Sequence, residues 1–429
     1  MLAGRRKWGV NFEPRTLKGC KAAEKDHHKV YPTNLNTPKV ELYKRVSKLQ
    51  IYLQKNNIQG ALILQRADLF YFTGTIQQAH LYVPAHGDPV LMVRKSFDRA
   101  RAESTIEKIL PLDRSSDIPN IIKANGHALP ATLGMELDVL PTNLFFNYRG
   151  IFENPEAVDI SQAIRLIRAI KSPYEIDMMR RAAELSDQVA GWVPKILREG
   201  MTEIELAGKI EAEARKLGHQ GVVRMRLWGS EMFYGHLMSG PTGAVPSFLS
   251  SPTGGTGASP AVAQGPGFKK IQRHEPVLVD YVFAYNGYLS DHARIFSLGS
   301  LPNELIDAHT AMLEIEQMIK KMAKPGVKSG EMYKRALEKT KALGYADHFM
   351  GVGPERIRFV GHGIGLEVDE YPFLAAGQQL ELQAGMTVAL EPKLVFPGKG
   401  VVGIENTHVV TDDGLEQLGH FPQEVTEIL

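Results

Sequence analysis

The stretch PVLVDYVFAYNGYLSDHARIF, residues 276–296, reads as two apolar strands that meet at the dipeptide Asn286-Gly287. Asn-Gly is favoured in a two-residue type I′ turn, because both central residues of that turn have a positive φ. We therefore predict a β-hairpin. A two-residue turn also sets the register, since each residue of one strand then faces a fixed partner on the other.

Two aspartates lie on this hairpin. The register places Asp280 opposite Ala293, and it places Asp291 opposite Val282. Because side chains alternate along a strand, both carboxylates are expected on one face as diagonal neighbours. Like charges at that distance keep one group protonated unless a divalent cation holds both ionised. The hairpin alone fits two solvated acids equally well.

Three further candidate ligands follow the hairpin: His362 in FVGHGIGLEV, and Glu391 and Glu405 in GMTVALEPKLVFPGKGVVGIENTHVV. A single histidine is more often structural than a ligand. An acid within an apolar run, however, is rarely buried without a partner. One histidine with four carboxylates suits Mn²⁺, Co²⁺, Fe²⁺ or Zn²⁺, and these carboxylate oxygens suffice to bridge two ions.

These segments together resemble a known superfamily. In their order along the chain, VLVDYVFAYNGYLSDHARIF, VGHGIGLEVDEYP, GMTVALEP and VGIENTHVVTDDG are similar to the signature blocks of the methionine aminopeptidase, prolidase and aminopeptidase P superfamily, metallopeptidase family M24. The nearest likeness is to its Xaa-Pro branch. IRLIRAIKSPYEIDMMRRAAELSD resembles that branch's entry into the catalytic domain, and ALILQRADLFYFTG with LYVPAHGDPVLMVRK resembles its creatinase-like N-terminal domain.

The resemblance implies an α+β protein, in which a smaller α/β creatinase-like domain precedes a pita-bread catalytic domain. It also implies a dinuclear metal centre. Asp280 would chelate one ion, while Asp291 and Glu405 would bridge both. His362 and Glu391 would complete the coordination of the second ion. Two such ions can hold a bridging hydroxide and polarise the scissile carbonyl, and Glu391 would act as the catalytic proton shuttle.

Three positions depart from the pattern of the Xaa-Pro enzymes. The histidine usual after proline in the stretch SGPTGAVPSF is Ser247 here. The block that usually reads Val-His-Glu has Asp369 in place of its histidine, and the arginine usual two residues before the bridging glutamate is Gly403. The substrate-binding shell therefore differs from that of the family, while the ligand set is complete.

Other residues offer compensation for these changes. His236 in FYGHLMSG is a candidate catalytic imidazole, and Arg224 and Arg226 are candidates to bind a substrate carboxylate bidentately. Asp369 is a candidate partner for a substrate amine, and Ser247 stands at a substrate-binding position. The alternative for His236 is an ordinary strand-end residue, and for the arginines it is surface charge.

The leading hypothesis is a metal-dependent peptidase that hydrolyses the bond before proline in short peptides, as an Xaa-Pro aminopeptidase or dipeptidase. The altered substrate positions favour an alternative, in which the same fold and metal site act on a non-peptide small molecule as an amide hydrolase or lyase. A non-catalytic binding module is the third possibility, although all five candidate ligands are present.

Composition excludes several other classes of protein. The chain has 429 residues, 43% of them hydrophobic, which is room for two domains with their own cores. A formal charge of +2 gives no case for nucleic acid or an anionic membrane as partner. The single cysteine, Cys20, excludes an intramolecular disulfide, and the N-terminal residues lack the apolar region of a secretory signal. We expect a cytoplasmic protein; a homodimer is implied by the resemblance alone.

Three regions follow along the chain: an N-terminal arm at residues 1–38, the creatinase-like domain at 39–165 and the catalytic domain at 166–429. Ser172 followed by Pro173 and Glu175 predicts the start of a helix that continues towards Leu197. Further helices are predicted at 202–217, 303–323 and 329–343. The Gly-, Pro- and Ser-rich stretch 239–267 is predicted to be either a lid or specificity loop or a solvated insertion.

Overall fold

A six-stranded mixed sheet forms the first part of the chain. The computed structural model describes residues 35–232 and 234–429, so the predicted arm lies almost wholly outside the described residues. The strands of the sheet are β1 (Gly60–Ile63), β2 (Ala79–Pro84), β3 (Val90–Val93), β4 (Ile109–Pro111), β5 (Thr132–Met135) and β6 (Glu156–Asp159). Their order across the sheet is β4-β3-β2-β1-β5-β6.

Helices cover both faces of this sheet. They are α1 (Lys39–Lys55), α2 (Arg66–Thr73), α3 (Phe97–Glu103), α4 (Ile118–Ala124), α5 (Thr142–Ile151) and α6 (Ser161–Ala169). Alternate residues of β1 enter different cores: Ala61 packs in the cluster that contains Leu42 of α1, and Leu62 packs in the cluster that contains Ile118 of α4. Burial on both faces explains why the strand GALI has no polar residue.

The helix predicted at Ser172 begins as expected but ends early. Helix α7 (Pro173–Ala190) has the predicted capping box, in which the Ser172 hydroxyl accepts from the Glu175 amide. The prediction that it continues towards Leu197 was wrong. The chain turns after Gly191, and a separate short helix, α8 (Val193–Ile196), has proline near its start, where a missing amide is tolerated.

An eight-stranded sheet forms the second part. Its members are β7 (Gly235–Ser239), β8 (Val277–Tyr285), β9 (Tyr288–Leu298), β10 (Gly361–Gly363), β11 (Thr387–Leu390), β14 (Glu405–Thr411), β15 (Gly414–Gln417) and β16 (Thr426–Ile428), while β12 (Lys393–Phe396) and β13 (Gly400–Gly403) form a separate ribbon. The main path runs β10-β11-β14-β9-β8-β7. The hairpin register is confirmed: Asp280 pairs with Ala293, and Val282 pairs with Asp291.

The ribbon arises where the two apolar runs around the Pro-Gly-Lys-Gly turn leave the main sheet. Pro392, which has no amide hydrogen, separates β11 from β12, and Gly403, with φ of +151°, ends β13. Each of the two apolar runs is therefore divided into two strands, β11 and β12 before the turn and β13 and β14 after it. Lys393, the first residue of β12, matters for the site because its ammonium lies 2.8 Å from Glu391 Oε2.

The remaining helices pack on the second sheet. They are α9 (Glu203–Lys216), α10 (Asn303–Met322) and α11 (Ser329–Ala342), close to the predicted limits. Buried residues of α10 and α11 share an apolar core with residues of β8 and β9. In the described part of the chain, no helix is both long and apolar enough to cross a membrane.

A buried cluster of ion pairs joins residues of the first part of the chain to residues of the second. The Arg168 guanidinium of α6 lies 2.6 Å from Asp68 of α2, 2.8 Å from Glu367 and within bonding distance of Glu370. Lys171 also contacts Glu370, at 3.0 Å. Burial alone would raise the pKa of Glu370, but the charges of Arg168 and Lys171 lower it to about 2. Glu370 is therefore ionised near neutral pH, and its charge is stabilised by the buried cations that pair with it.

We expect Gly235→Ala to destabilise the protein by more than about 1 kcal/mol, because the added Cβ has no room and the backbone is strained. Gly235 has φ of +149°, and a Cβ there would lie 2.2 Å from the Asp280 carbonyl oxygen across β7 and β8. Urea unfolding provides the measurement. The matched control is Gly208→Ala within α9, where a Cβ meets nothing within 4 Å; it should stabilise the helix by up to about 1 kcal/mol. Equal effects of the two substitutions would contradict the steric argument.

Candidate metal centre

Six neighbouring strands of the second sheet each bring one polar side chain to the same region. In spatial order these are His362 in β10, Glu391 directly after β11, Glu405 in β14, Asp291 in β9, Asp280 in β8 and His236 in β7. Glu405 pairs with Ala293, Ala293 with Asp280, and Asp280 with His236, so these positions form a row across the sheet. The structure thus brings together all five side chains that the sequence offered as ligands.

One side of the cluster surrounds the imidazole of His362. Its Nε2 lies 3.6 Å from Glu391 Oε1, 3.8 Å from Glu405 Oε1 and 3.9 Å from Asp291 Oδ2. The other ring nitrogen, Nδ1, is 3.1 Å from the Gly363 carbonyl. A hydrogen on Nδ1 donated to that carbonyl leaves the Nε2 lone pair directed at the carboxylates, which is how metal-binding imidazoles are commonly oriented.

Asp291 is fixed by the backbone around it. The His292 amide donates to Asp291 Oδ1 at 2.9 Å, so that Oδ2 remains for the centre. The Thr407 hydroxyl bonds both the amide and the carbonyl of Asp291, at 2.8 and 3.0 Å. Ligand atoms of Asp291, His362 and Glu405 all lie within 4.8 Å of one another. An ion with bonds of about 2 Å fits among them.

Lys393 occupies the other side of the cluster, and the sequence analysis did not identify it. Its Nζ lies 2.8 Å from Asp280 Oδ2, 2.8 Å from Glu391 Oε2 and 2.7 Å from Glu405 Oε2. The residue is only 1% exposed. A signal was present, because Lys393 follows Glu391 by two residues, the spacing that puts side chains on one face of extended chain.

The charges of the centre perturb one another strongly. Burial and the neighbouring charge of Asp280 raise the pKa of Asp291 to about 7. Burial, with Asp291 and Glu391, also raises the pKa of Glu405 well above its ordinary value. Burial alone would lower the pKa of Lys393, but Asp280, Glu391 and Glu405 raise it well above the usual value, so it carries a positive charge. The crowded carboxylates therefore require cations.

A cavity of about 560 Å³ opens over the centre. Asp280, Asp291, His362, Glu391 and Glu405 lie on its wall together with His236. Much of the remaining wall is apolar, from Trp228, Met232, Phe248, Leu249, Phe359 and Phe373. Trp228 and Phe248, 96% and 67% exposed, stand where solvent meets this wall. A concave apolar space with a few convergent polar groups is typical of a small-molecule site.

His236 is placed where an imidazole can reach a molecule in the cavity. Its ring is buried, with Nδ1 3.5 Å from the Thr253 hydroxyl and Nε2 3.4 Å from Gln264 Oε1. Burial lowers the pKa of His236, even though the charge of Asp280 acts in the opposite direction. The ring is therefore neutral near pH 7 and can donate one hydrogen bond.

Of the four residues predicted to bind substrate, only Asp369 lines the cavity. The Arg226 guanidinium is buried against Asp68 and Asp138, with contacts of 2.7 and 2.6 Å, and is not among the residues that line the cavity. Arg224 and Ser247 do not line it either. Asp369 does, but its carboxylate accepts from the backbone amides of residues 226 and 227 at 2.8 and 2.7 Å. The geometry gives no support to substrate binding by either arginine.

The loop at 239–267 forms part of the cavity wall through residues 248–251. Both of its ends are attached to Glu203, which is fully buried. Glu203 Oε1 accepts from the Ser239 amide at 2.8 Å, and Oε2 accepts from the Gly267 amide at 3.0 Å. The ends of this segment are therefore fixed, and its middle faces the site.

Two family models match the chain. Residues 177–412 match metallopeptidase family M24, and residues 45–170 match the creatinase/prolidase N-terminal domain. The chain belongs to metallopeptidase family M24, a family of hydrolases, and has the pita-bread fold preceded by a creatinase-type domain. Peptidases of this family use divalent metals, and the triad of Asp291, His362 and Glu405 could hold such an ion.

Individual relatives agree with this family. The chain is 27% identical to the Xaa-Pro dipeptidase of Pyrococcus furiosus over 385 residues, covering 89% of this chain and 99% of the relative. The prolidase from Pyrococcus horikoshii OT3 superposes with a TM-score of 0.74 at 24% identity, covering 89% and 99% of the two chains. The X-Pro aminopeptidase from Thermotoga maritima MSB8 also gives 0.74, at 23% identity and with the same coverage. The two structures support the fold.

Proposed function

We propose that this chain is a metal-dependent peptidase that cleaves the bond before proline in short peptides. The observation that carries the proposal is the arrangement of His362 with Asp291, Glu391 and Glu405 on the wall of one apolar cavity. The 27% sequence identity to an Xaa-Pro dipeptidase, over 89% of this chain, supports proline-containing peptides as the substrate class. The volume of about 560 Å³ is within the range of sites for small ligands.

Asp291, His362 and Glu405 would hold the ion, and Glu391 reaches the same space. When bound, the ion supplies a Lewis acid and lowers the pKa of water towards neutrality. The Glu391 carboxylate can take a proton from the attacking water and deliver it to the leaving nitrogen. His236, as a neutral donor, can hydrogen-bond the oxygen on which negative charge develops once its Nε2 gives up the 3.4 Å contact with Gln264 Oε1. The residues fit one ion, because the Lys393 ammonium contacts the carboxylates that would bind a second one.

The apolar wall of the cavity can contact the part of the substrate that does not react. Phe248, Phe359 and Phe373 present hydrophobic surface suited to an apolar ring such as that of proline. The carboxylate of Asp369 already accepts two backbone hydrogen bonds, which argues against its use as the partner of a substrate amine. A homodimer and a cytoplasmic location remain predictions.

We expect Mn²⁺- or Co²⁺-loaded protein to hydrolyse Xaa-Pro dipeptides or Xaa-Pro-Yaa tripeptides, and Glu391→Gln to lose at least about 10²-fold in kcat, the usual contribution of general acid–base catalysis. Release of proline or of the Pro-Yaa product is the measurement. Glu381→Gln, outside the cavity lining, is the matched control and should leave kcat unchanged. No turnover of either peptide class by protein with bound metal would reject the proposal.

One observation favours a second candidate function. Ser247 does not line the cavity and Asp369 is engaged by backbone amides, so neither replaces the imidazoles that the Xaa-Pro enzymes usually have. An amide hydrolase or a lyase that acts on a non-peptide small molecule needs fewer imidazole contacts to its substrate. Turnover of a small amide with no activity on proline peptides would identify this alternative, while metal-binding protein without any turnover would favour a binding module.

A further inference from the structure

We propose that the Lys393 ammonium permanently occupies one of the two cation positions of this centre, so that the chain holds a single divalent ion. This differs from the two ions that the family resemblance implies. The inference concerns the number of cations bound and does not depend on which substrate is cleaved.

The division of carboxylate oxygens between two positions supports the proposal. Glu391 and Glu405 each direct Oε1 towards His362 and Oε2 towards Lys393. Of these two, Glu405 is a bridging ligand in the family pattern, and a bridging carboxylate places one oxygen on each of two cations. Here one position is faced by a histidine and is suited to a metal, and the other already contains an ammonium group.

Two of the three carboxylates around the ammonium are also expected around the first ion, while the third, Glu391, is expected at the second ion only. The family pattern assigns Asp280 and Glu405 to that ion, and both contact Lys393 Nζ, at 2.8 and 2.7 Å. An ammonium donates three hydrogen bonds, and it has three carboxylate partners in this cluster. A divalent ion at the same place would have to displace this set of charge-assisted contacts.

The backbone holds Lys393 in position. In the ribbon it pairs with Gly403, and a Cβ on Gly403 would lie 2.7 Å from Lys393 Cα and 3.0 Å from its Cγ. Glycine at 403 therefore leaves the room that the lysine stem fills. The Lys393 carbonyl also accepts from the Met350 amide at 3.0 Å, and the side chain is almost completely buried. Displacing the ammonium would require this buried region to rearrange.

With one metal ion and the ammonium, the centre keeps a net charge of −1. The four carboxylates of Asp280, Asp291, Glu391 and Glu405 carry four negative charges when ionised. One divalent ion and the ammonium supply three positive charges at the same positions. An ammonium cannot coordinate water, so the Lys393 position can neutralise and orient carboxylates but cannot activate a nucleophile.

The test is the number of ions bound per chain, measured on full-length protein without any peptide. Protein stripped with chelator is titrated with Mn²⁺ by calorimetry, and bound metal is counted by elemental analysis after desalting. Electron paramagnetic resonance of the Mn²⁺ form separates isolated from exchange-coupled ions. The variants are Lys393→Met, which removes the ammonium, and Lys171→Met as the matched control. Lys171 is also buried and also pairs with a carboxylate, but that carboxylate is Glu370, which is not one of the five candidate ligands.

We expect about one ion per chain in the unmodified protein and in Lys171→Met, with an isolated-ion spectrum. Lys393→Met should bind about one ion more and show exchange coupling. Two ions in the unmodified protein, none at saturating Mn²⁺, or a soluble Lys393→Met variant that still binds one, would each overturn the proposal. If Lys393→Met does not fold, the count and spectrum of the unmodified protein decide by themselves. Failure of peptide turnover would leave this result unaffected.

Discussion

His362→Ala is expected to lower kcat/KM for the proline-containing substrate by about 10³-fold or more and to abolish stable Mn²⁺ binding. Its Nε2 is the only nitrogen among the five candidate ligands, and it lies within 3.9 Å of three carboxylates. Losing a bound Lewis acid removes several kcal/mol of transition-state stabilisation, and each 1.36 kcal/mol corresponds to a factor of ten. Steady-state kinetics and metal content should be measured on the same preparation.

His348→Ala is the matched control for this prediction. Its ring is part-buried and bonds the Val395 carbonyl at 2.9 Å, outside the cavity. We expect the control to bind metal and to turn over substrate like the unmodified protein. Should His362→Ala keep its metal and most of its activity, the position of the ion assigned to His362 would be wrong.

Arg168→Met is expected to reduce the free energy of unfolding by about 3–5 kcal/mol, the usual cost of removing one partner from a buried ion pair. Arg168 contacts Asp68, Glu367 and Glu370 together, and its side chain is only 2% exposed. Methionine has similar length but removes the cation that contacts all three carboxylates, which keep Arg226 and Lys171 as cationic partners. Urea unfolding followed by circular dichroism provides the measurement.

Arg181→Met provides the matched comparison on the surface. Arg181 pairs with Glu184 at 2.7 Å on α7, and both side chains are substantially exposed to water. Its loss should cost no more than about 1 kcal/mol, as for other surface ion pairs. Comparable losses of stability in Arg168→Met and Arg181→Met would show that the buried cluster contributes no more than a surface pair.

Local features of the fold were predictable because neighbouring residues determine them. Asn286-Gly287 specified the turn, and the turn then specified which residues face one another across the hairpin. Ser172 with Glu175 specified the start of α7 through hydrogen bonds within one helical turn. The end of that helix was not predictable to the same degree, since Gly191 and Pro194 interrupt a sequence that otherwise has a helical pattern.

The partners of the charged side chains were harder to predict from the sequence. Arg226 was considered for substrate binding from its charge alone, yet it pairs with Asp138 and with Asp68, 158 residues away in sequence. Asp369 is a candidate partner for a substrate amine in the sequence, but the fold supplies two backbone amides to its carboxylate. Such partners lie far apart in the chain or depend on loop conformation, so no local pattern identifies them.

The hairpin and the helix starts follow from the chain alone, because turn chemistry, capping and strand periodicity act over a few residues. Which cations neutralise the five candidate ligands depends on contacts between distant residues. Six strands converge in an order different from their order along the chain, and this order brings Asp280 and Glu405 to the Lys393 ammonium. Its role depends on contacts with Asp280 and Glu405, and contacts between distant residues exist only once the sheet has formed.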